Sequence, residues 1–282
     1  MVATTTIVAD LVRRIGEPDV AVVSLMGPGV DPHLFEASAG DVRRMAGAAA
    51  IFYNGHHLEG KMTELFASMR GRGMKTLAVA ECLPAERLIA VPDNPALKDP
   101  HVWFEVRLWA ATVPCVAAAL TEIVPQRAAT FQQRAEAYVA ELTALDAEVR
   151  ERVAVIPAER RVLVTAHDAF AYFGRAYGFE VRGLLGISTV AEAGADAVQQ
   201  LASFITARRL PGVFVESSVP TRALQALTEA VAARGHRVSI GGSLFSDALG
   251  SPGTSAETYI GTVRANVATI VAALGGPVAG TP

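Results

Sequence analysis

Residues 126–156, between Pro125 and Pro157, contain neither Gly nor Pro. Within them Phe131, Ala135, Tyr138, Leu142, Leu145 and Val149 recur at helical spacing. The pattern predicts one helix over 126–155. At about 1.5 Å per residue it spans about 45 Å, more than a crossover between neighbouring strands requires. Whatever lies on either side must be organised around that rod.

On both sides, short apolar runs alternate with helical patterns. The runs at 20–26, 50–53, 76–80, 161–165, 213–216 and 237–240 are rich in β-branched residues and unbroken by polar alternation. That is the character of parallel strands buried on both faces. Helical stretches fall at 38–48, 57–70, 102–124, 192–208 and 221–234. Ser38 with Asp41, Thr189 with Glu192 and Thr254 with Glu257 have capping-box spacing. The fold expected is α/β: two lobes, each a parallel sheet flanked by helices, joined by one long linking helix. The boundaries are 1–124, 125–156 and 157–282. A long surface helix within a single domain is the alternative.

Composition removes several classes of function. With 282 residues and 51% of them hydrophobic, the chain is too apolar to be disordered. Its 25 basic and 28 acidic residues leave a formal charge of −3, so no nucleic-acid partner is expected. Two cysteines make no disulfide scaffold, and Cys115, in an apolar helical run, reads as a buried thiol. The charge-free stretch 108–121 is short and holds Pro114, and 265–282 is broken by Gly275, Gly276 and Pro277, so no membrane span is expected. Asp10, Arg13 and Arg14 interrupt any signal-like apolar run at the start. The residues alone read as cytoplasmic.

Three of the six histidines stand at strand ends or helix starts, where open α/β sheets put their ligand sites. His33 follows Asp31-Pro32, just after the Gly27-Pro28-Gly29 turn. His101 follows Asp99-Pro100. His167 ends the run Val164-Thr165-Ala166. Proline restricts its own φ and biases the residue before it, so the repeated Asp-Pro-His presents a partly ordered imidazole. Neutral imidazole is a common nitrogen donor to zinc. Local metal-motif spacing such as His-Glu-x-x-His is absent. His56 and His57 read as surface residues at a helix start, one of them a candidate to orient a ligand, and His236 as solvated. Two carboxylates could complete a histidine site: Glu216, at the end of a strand, and Asp247, in a loop after the last strand. For Glu216, a cap or a structural hydrogen bond is the reading preferred. No nucleophile elbow, Walker loop or dinucleotide fingerprint is found.

Taken in order, the motifs carry a family signature. They are Met26-Gly27-Pro28-Gly29-Val30-Asp31-Pro32-His33, Tyr53-Asn54-Gly55 with Leu58-Glu59, and Asp99-Pro100-His101-Val102-Trp103-Phe104. Then come Val164-Thr165-Ala166-His167-Asp168-Ala169-Phe170, Phe214-Val215-Glu216-Ser217-Ser218 and Ser246-Asp247-Ala248-Leu249-Gly250. Over almost its whole length the chain resembles the TroA-like metal-binding receptors of bacterial ABC importers. The resemblance implies a divalent metal buried between the lobes, held by His33 and His101 from the first lobe and His167 and Asp247 from the second. It also selects Asp247 over Glu216.

Three imidazoles and one carboxylate favour zinc, with manganese the second choice. The segment 90–100 has no histidine, so the His-rich loop of many zinc-specialised relatives is absent. The resemblance further implies no catalysis, an ABC importer permease as partner, and a monomer. It implies a periplasmic location or one on the outer face of the cytoplasmic membrane, with or without a lipid anchor. As neither a signal nor a lipobox cysteine is read, a mature-length chain is expected. The alternatives weighed are a zinc-dependent hydrolase with water in the fourth position and a receptor for a metal chelate.

Overall fold

A computed structural model of the chain describes residues 1–275 except Asp93. The expected break at Gly276 and Pro277, and the end of the C-terminal lobe at 282, lie outside the described residues. The first lobe is a parallel sheet built from β1 (Val2–Ala3), β2 (Val23–Ser24), β3 (Ala50–Tyr53) and β4 (Lys75–Ala78), in the order β2-β1-β3-β4. Val2 pairs with both Val23 and Ile51. Helices α1 (Thr6–Gly16), α2 (Ala39–Ala46) and α3 (Thr63–Gly71) belong to the same lobe. A small antiparallel hairpin, β5 (Ala90–Val91) and β6 (Asn94–Lys98), precedes His101.

The predicted helix over 102–124 is three pieces. They are a 3-10 turn at Val102–Phe104, α4 (Val106–Ala110) and α5 (Val113–Ile123), with Pro114 in the first turn of α5. Proline lacks the N–H that an uninterrupted helix needs, and is accommodated only where a new helix begins. By length and composition alone, 106–123 is apolar enough to cross a membrane. It is broken at Ala111–Thr112, half buried, and packed against the long helix.

That long helix is α6 (Ala128–Val153), and it links the two lobes. All six residues of its predicted stripe are buried, and Val153 extends the stripe. First-lobe helices α1, α4 and α5 lean on it, as do α7 (Ala171–Tyr177) and α10 (Tyr259–Leu274) from the second lobe. Inside this packing Asp146 is fully buried, yet it is paired with Arg107 at 2.8 Å and Arg150 at 2.9 Å and accepts the Tyr177 hydroxyl at 3.0 Å. A buried carboxylate without such partners would be costly.

The second lobe has two parallel strand pairs. β7 (Val162–His167) pairs with β8 (Glu180–Leu185), and β9 (Gly212–Glu216) pairs with β10 (Ser239–Leu244), β7 lying beside β9. α8 (Ala195–Arg208) and α9 (Arg222–Ala232) pack together over this sheet region, around Leu201, Ile205, Leu224 and Leu227. β8 escapes sequence reading because Glu180, Arg182 and Gly183 break its apolar run. Gly183 is needed there: a Cβ would sit 2.4 Å from the backbone nitrogen of Asp168.

Other local expectations are corrected. Of the three capping boxes, Ser38 with Asp41 forms. α8 is instead capped at Gly194 and α10 at Thr258. Residues 57–59 are not helical: Gly55, His56 and His57 all have positive φ, a left-handed turn, with His56 half-buried. His236 is half-buried, with Nε2 2.9 Å from the Leu210 carbonyl. Cys115 is not a free thiol. It forms a disulfide with Cys82, joining α5 to the turn after β4. A separation of 33 residues gives no pairing signal; the folding of α5 against the sheet creates it.

Candidate metal centre

His33, His101, His167 and Asp247 come together between the lobes, each from a different connection. His33 lies in the loop from β2 to α2, His101 at the start of the 3-10 turn before α4, His167 at the end of β7, and Asp247 after β10. All four are buried, His33 being the most exposed at 3%. One ligand atom from each fits within 4.8 Å of the others. His101 Nε2 lies 3.4 Å from Nε2 of both His33 and His167. Asp247 faces the same point, Oδ1 3.5 Å from His101 Nε2 and Oδ2 3.4 Å from His167 Nε2. A tetrahedron with metal–nitrogen bonds of about 2.0–2.1 Å has edges of about 3.3 Å.

Carboxylates fix two of the rings. Asp99 Oδ1 lies 2.7 Å from His101 Nδ1 and accepts the His101 backbone N–H at 2.9 Å. Glu216 Oε2 lies 2.5 Å from His167 Nδ1, while Oε1 accepts the His167 backbone N–H at 2.8 Å. In both cases Nδ1 is engaged and Nε2 is directed at the centre, the arrangement that fixes ring orientation and raises ligand basicity. Glu216 makes a structural hydrogen bond, as preferred from sequence, but to a residue 49 positions away whose ring it aims.

The charge state follows from this geometry. Burial, with the other imidazoles adding to it, lowers His33 to about 3 against the pull of Asp247, so that ring is neutral at ordinary pH. Burial works to lower His167 too, but the charges of Asp247 and Glu216 outweigh it and hold His167 well above the usual histidine value. Burial works to raise Asp247, but His167 first and then His101 and His33 outweigh it and keep the carboxylate ionised. Without metal, the second-lobe half therefore holds an imidazolium–carboxylate pair.

The lobes are stitched together around the four side chains. Trp103 Nε1 donates to the Ser246 carbonyl at 3.0 Å, and the Tyr259 hydroxyl donates to the Trp103 carbonyl at 2.6 Å. The Tyr172 hydroxyl donates to the Asp99 carbonyl at 2.9 Å. Asn54 Nδ2 donates to the Pro100 carbonyl at 3.0 Å, and buried Glu59 accepts Thr4 Oγ1 and the N–H groups of Asn54 and Gly55. On the outer side, Thr189 Oγ1 donates across the cleft to Asp31 Oδ2 at 2.6 Å, and Asp31 Oδ1 accepts the His33 N–H at 2.8 Å. A cavity of about 330 Å³ opens outside His33, lined also by His57, Lys98, Asp168 and Ile187. His56 and His57 stand at its wall, not among the converging atoms.

The family model of zinc-uptake complex component A, periplasmic, matches residues 1–273. The chain belongs to that family. Members are solute-binding proteins for metal transport, not enzymes. The zinc-binding protein TroA of Treponema pallidum is 52% identical over 274 residues, covering 97% of this chain and 88% of the relative. The manganese-binding lipoprotein MntA of Bacillus subtilis is 45% identical, covering 96% of this chain and 88% of the relative. The solved structure of the periplasmic zinc-binding protein TroA superposes with a TM-score of 0.94 over 98% of both chains. The two-lobe architecture with its long linking helix is thus the family's fold.

Proposed function

We propose that this chain is an extracytoplasmic receptor that captures a divalent transition metal between its lobes and delivers it to an ABC permease. His33, His101, His167 and Asp247 would be the ligands, zinc the first cargo and manganese the second. The lobes would be 1–124 and 157–282, about the helix at 125–156. The observation that carries this reading is the convergence of three buried imidazoles and one carboxylate within 4.8 Å, with His101 Nε2 3.4–3.5 Å from an atom of each of the other three, close to a tetrahedral edge.

The fourth position supports binding over hydrolysis, because Asp247 stands where a hydrolytic zinc site keeps water. A chelate receptor would leave its donors open to the adjoining cavity, whereas none of these four residues is more than 3% exposed. The Cys82–Cys115 disulfide supports an oxidising location outside the cytoplasm. The chain would act as a monomer, free in the periplasm or lipid-anchored.

Elemental analysis after stripping and re-equilibration with a zinc/manganese mixture tests the reading. One metal per chain is expected. A parent protein without stoichiometric metal would overturn it.

A further inference from the structure

Asp247 belongs to the second lobe by sequence, yet the irregular segment 245–258 that carries it is bonded to the first lobe. Trp103 holds the Ser246 carbonyl on one flank of Asp247. On the other flank, the buried Leu249 donates its backbone N–H to Thr6 Oγ1 at 2.8 Å. Just past the end of the segment, the buried Tyr259 donates its backbone N–H to Asp10 Oδ2 at 3.2 Å. That N–H is in the first turn of α10 and has no partner inside its own helix. Thr6 and Asp10 both lie on α1, four residues apart and so on one face of that helix. Between the two bonded residues the segment closes on itself. The Gly250 N–H donates to the Ala256 carbonyl at 2.8 Å, and the same carbonyl accepts the Thr262 hydroxyl at 2.6 Å. A loop closed in this way moves as one piece, and it is fastened to α1 at both ends.

We infer that Thr6 and Asp10 are positioning residues for metal capture: from the first lobe they clamp the Asp247 segment at both ends and set how readily it lets the metal go. Neither is one of the four converging side chains. Leu249 is two residues from Asp247, so the carboxylate cannot leave the centre with its loop while the Thr6 bond holds. Once the clamp opens, the Leu249 and Tyr259 N–H groups need a new partner, and a buried donor without one is costly. That cost favours the arrangement in which Asp247 faces the three imidazoles, and so slows release. The inference rests on the metal-receptor reading above and deepens it.

The experiment follows zinc release by stopped-flow chelation, and exchange of the Leu249 and Tyr259 amides by NMR, in the parent and five variants. These are Thr6→Val, Thr6→Ser, Asp10→Ala, Asp10→Asn and Thr5→Ala. Thr5 caps α1 by accepting the Val8 N–H at 3.2 Å, so Thr5→Ala weakens the same helix and leaves both acceptors of the clamp in place. Thr6→Val should speed zinc release about 5–20-fold and Asp10→Ala about 2–10-fold, each also speeding exchange of the amide it no longer accepts. Thr6→Ser and Asp10→Asn keep an oxygen acceptor and should stay within about twofold of the parent. Zinc should slow exchange of both amides in the parent, a readout that needs no variant. Parent-like release in Thr6→Val and Asp10→Ala overturns the inference and leaves the receptor reading standing. So does an equal acceleration in Thr5→Ala, or amides indifferent to zinc in a parent that binds it. A parent that binds no zinc overturns both.

Discussion

The first lobe brings two imidazoles to the centre, His33 and His101, with Asp99 backing His101. The second brings one imidazole, its backing Glu216, and Asp247. Burial leaves His33 neutral, whereas two carboxylates keep His167 charged. In the first lobe, His33 is ready to donate a lone pair. In the second, His167 must first lose a proton, while Asp247 would supply negative charge to balance a cation. The asymmetry shows that burial alone does not decide whether a histidine is a ready ligand: similarly buried rings differ by their carboxylate neighbours.

That contrast can be broken at several points. The largest effect is expected from the proposed ligands. His101→Ala, His167→Ala and Asp247→Ala should each weaken zinc binding by about a thousandfold or more, since each empties one of four positions. Titration calorimetry would show it, and retention of near-parent affinity in any of them would remove that residue from the shell. The next effect is pH. His167 is held above the ordinary histidine value, so below its raised value a metal must displace its proton. Affinity should fall about tenfold per pH unit on acidification in that range. His33 adds nothing until about pH 3. A flat affinity between pH 5 and 8 would contradict the imidazolium assignment.

Smaller effects separate the two backing carboxylates. Glu216→Gln and Asp99→Asn should each cost about 10–100-fold in zinc affinity. Glu216→Gln should also flatten the pH slope, because it removes one of the charges that hold the His167 proton; Asp99→Asn should leave that slope in place. The smallest effect lies at the outer edge. Thr189→Val removes the hydrogen bond to Asp31 that joins the 186–193 loop to the first lobe. Loss of one such bond should speed zinc dissociation by about 2–10-fold, measurable by stopped-flow chelation, and Thr189→Ser should restore the parent rate.

Much of the frame was legible in the chain. The stripe from Phe131 to Val149 predicted α6, and four of the six apolar runs correspond closely to strands, because periodicity and β-branching act locally; the 237–240 run meets only the first two residues of β10. The 20–26 run shrank to Val23–Ser24, and Val2–Ala3 went unread because two residues carry no pattern. The left-handed turn at Gly55–His57 was missed for a different reason. It is held by Glu59 reaching back to Asn54, Gly55 and Thr4, a tertiary anchor that overrides the helical pattern of 57–70.

The four converging side chains were named from motif order, not from spacing, since His33 and Asp247 stand at opposite ends of the chain. By itself the sequence determined the two-lobe plan, the long helix between the lobes, and a donor set suited to zinc. Only the tertiary structure decided which Glu216 atom aims His167, how the two Asp247 oxygens face His101 and His167, that Cys82 meets Cys115, and which way burial and neighbouring charge shift His33 and His167. Those outcomes depend on distances between residues far apart in sequence and on burial. No local pattern encodes either before the lobes close around α6.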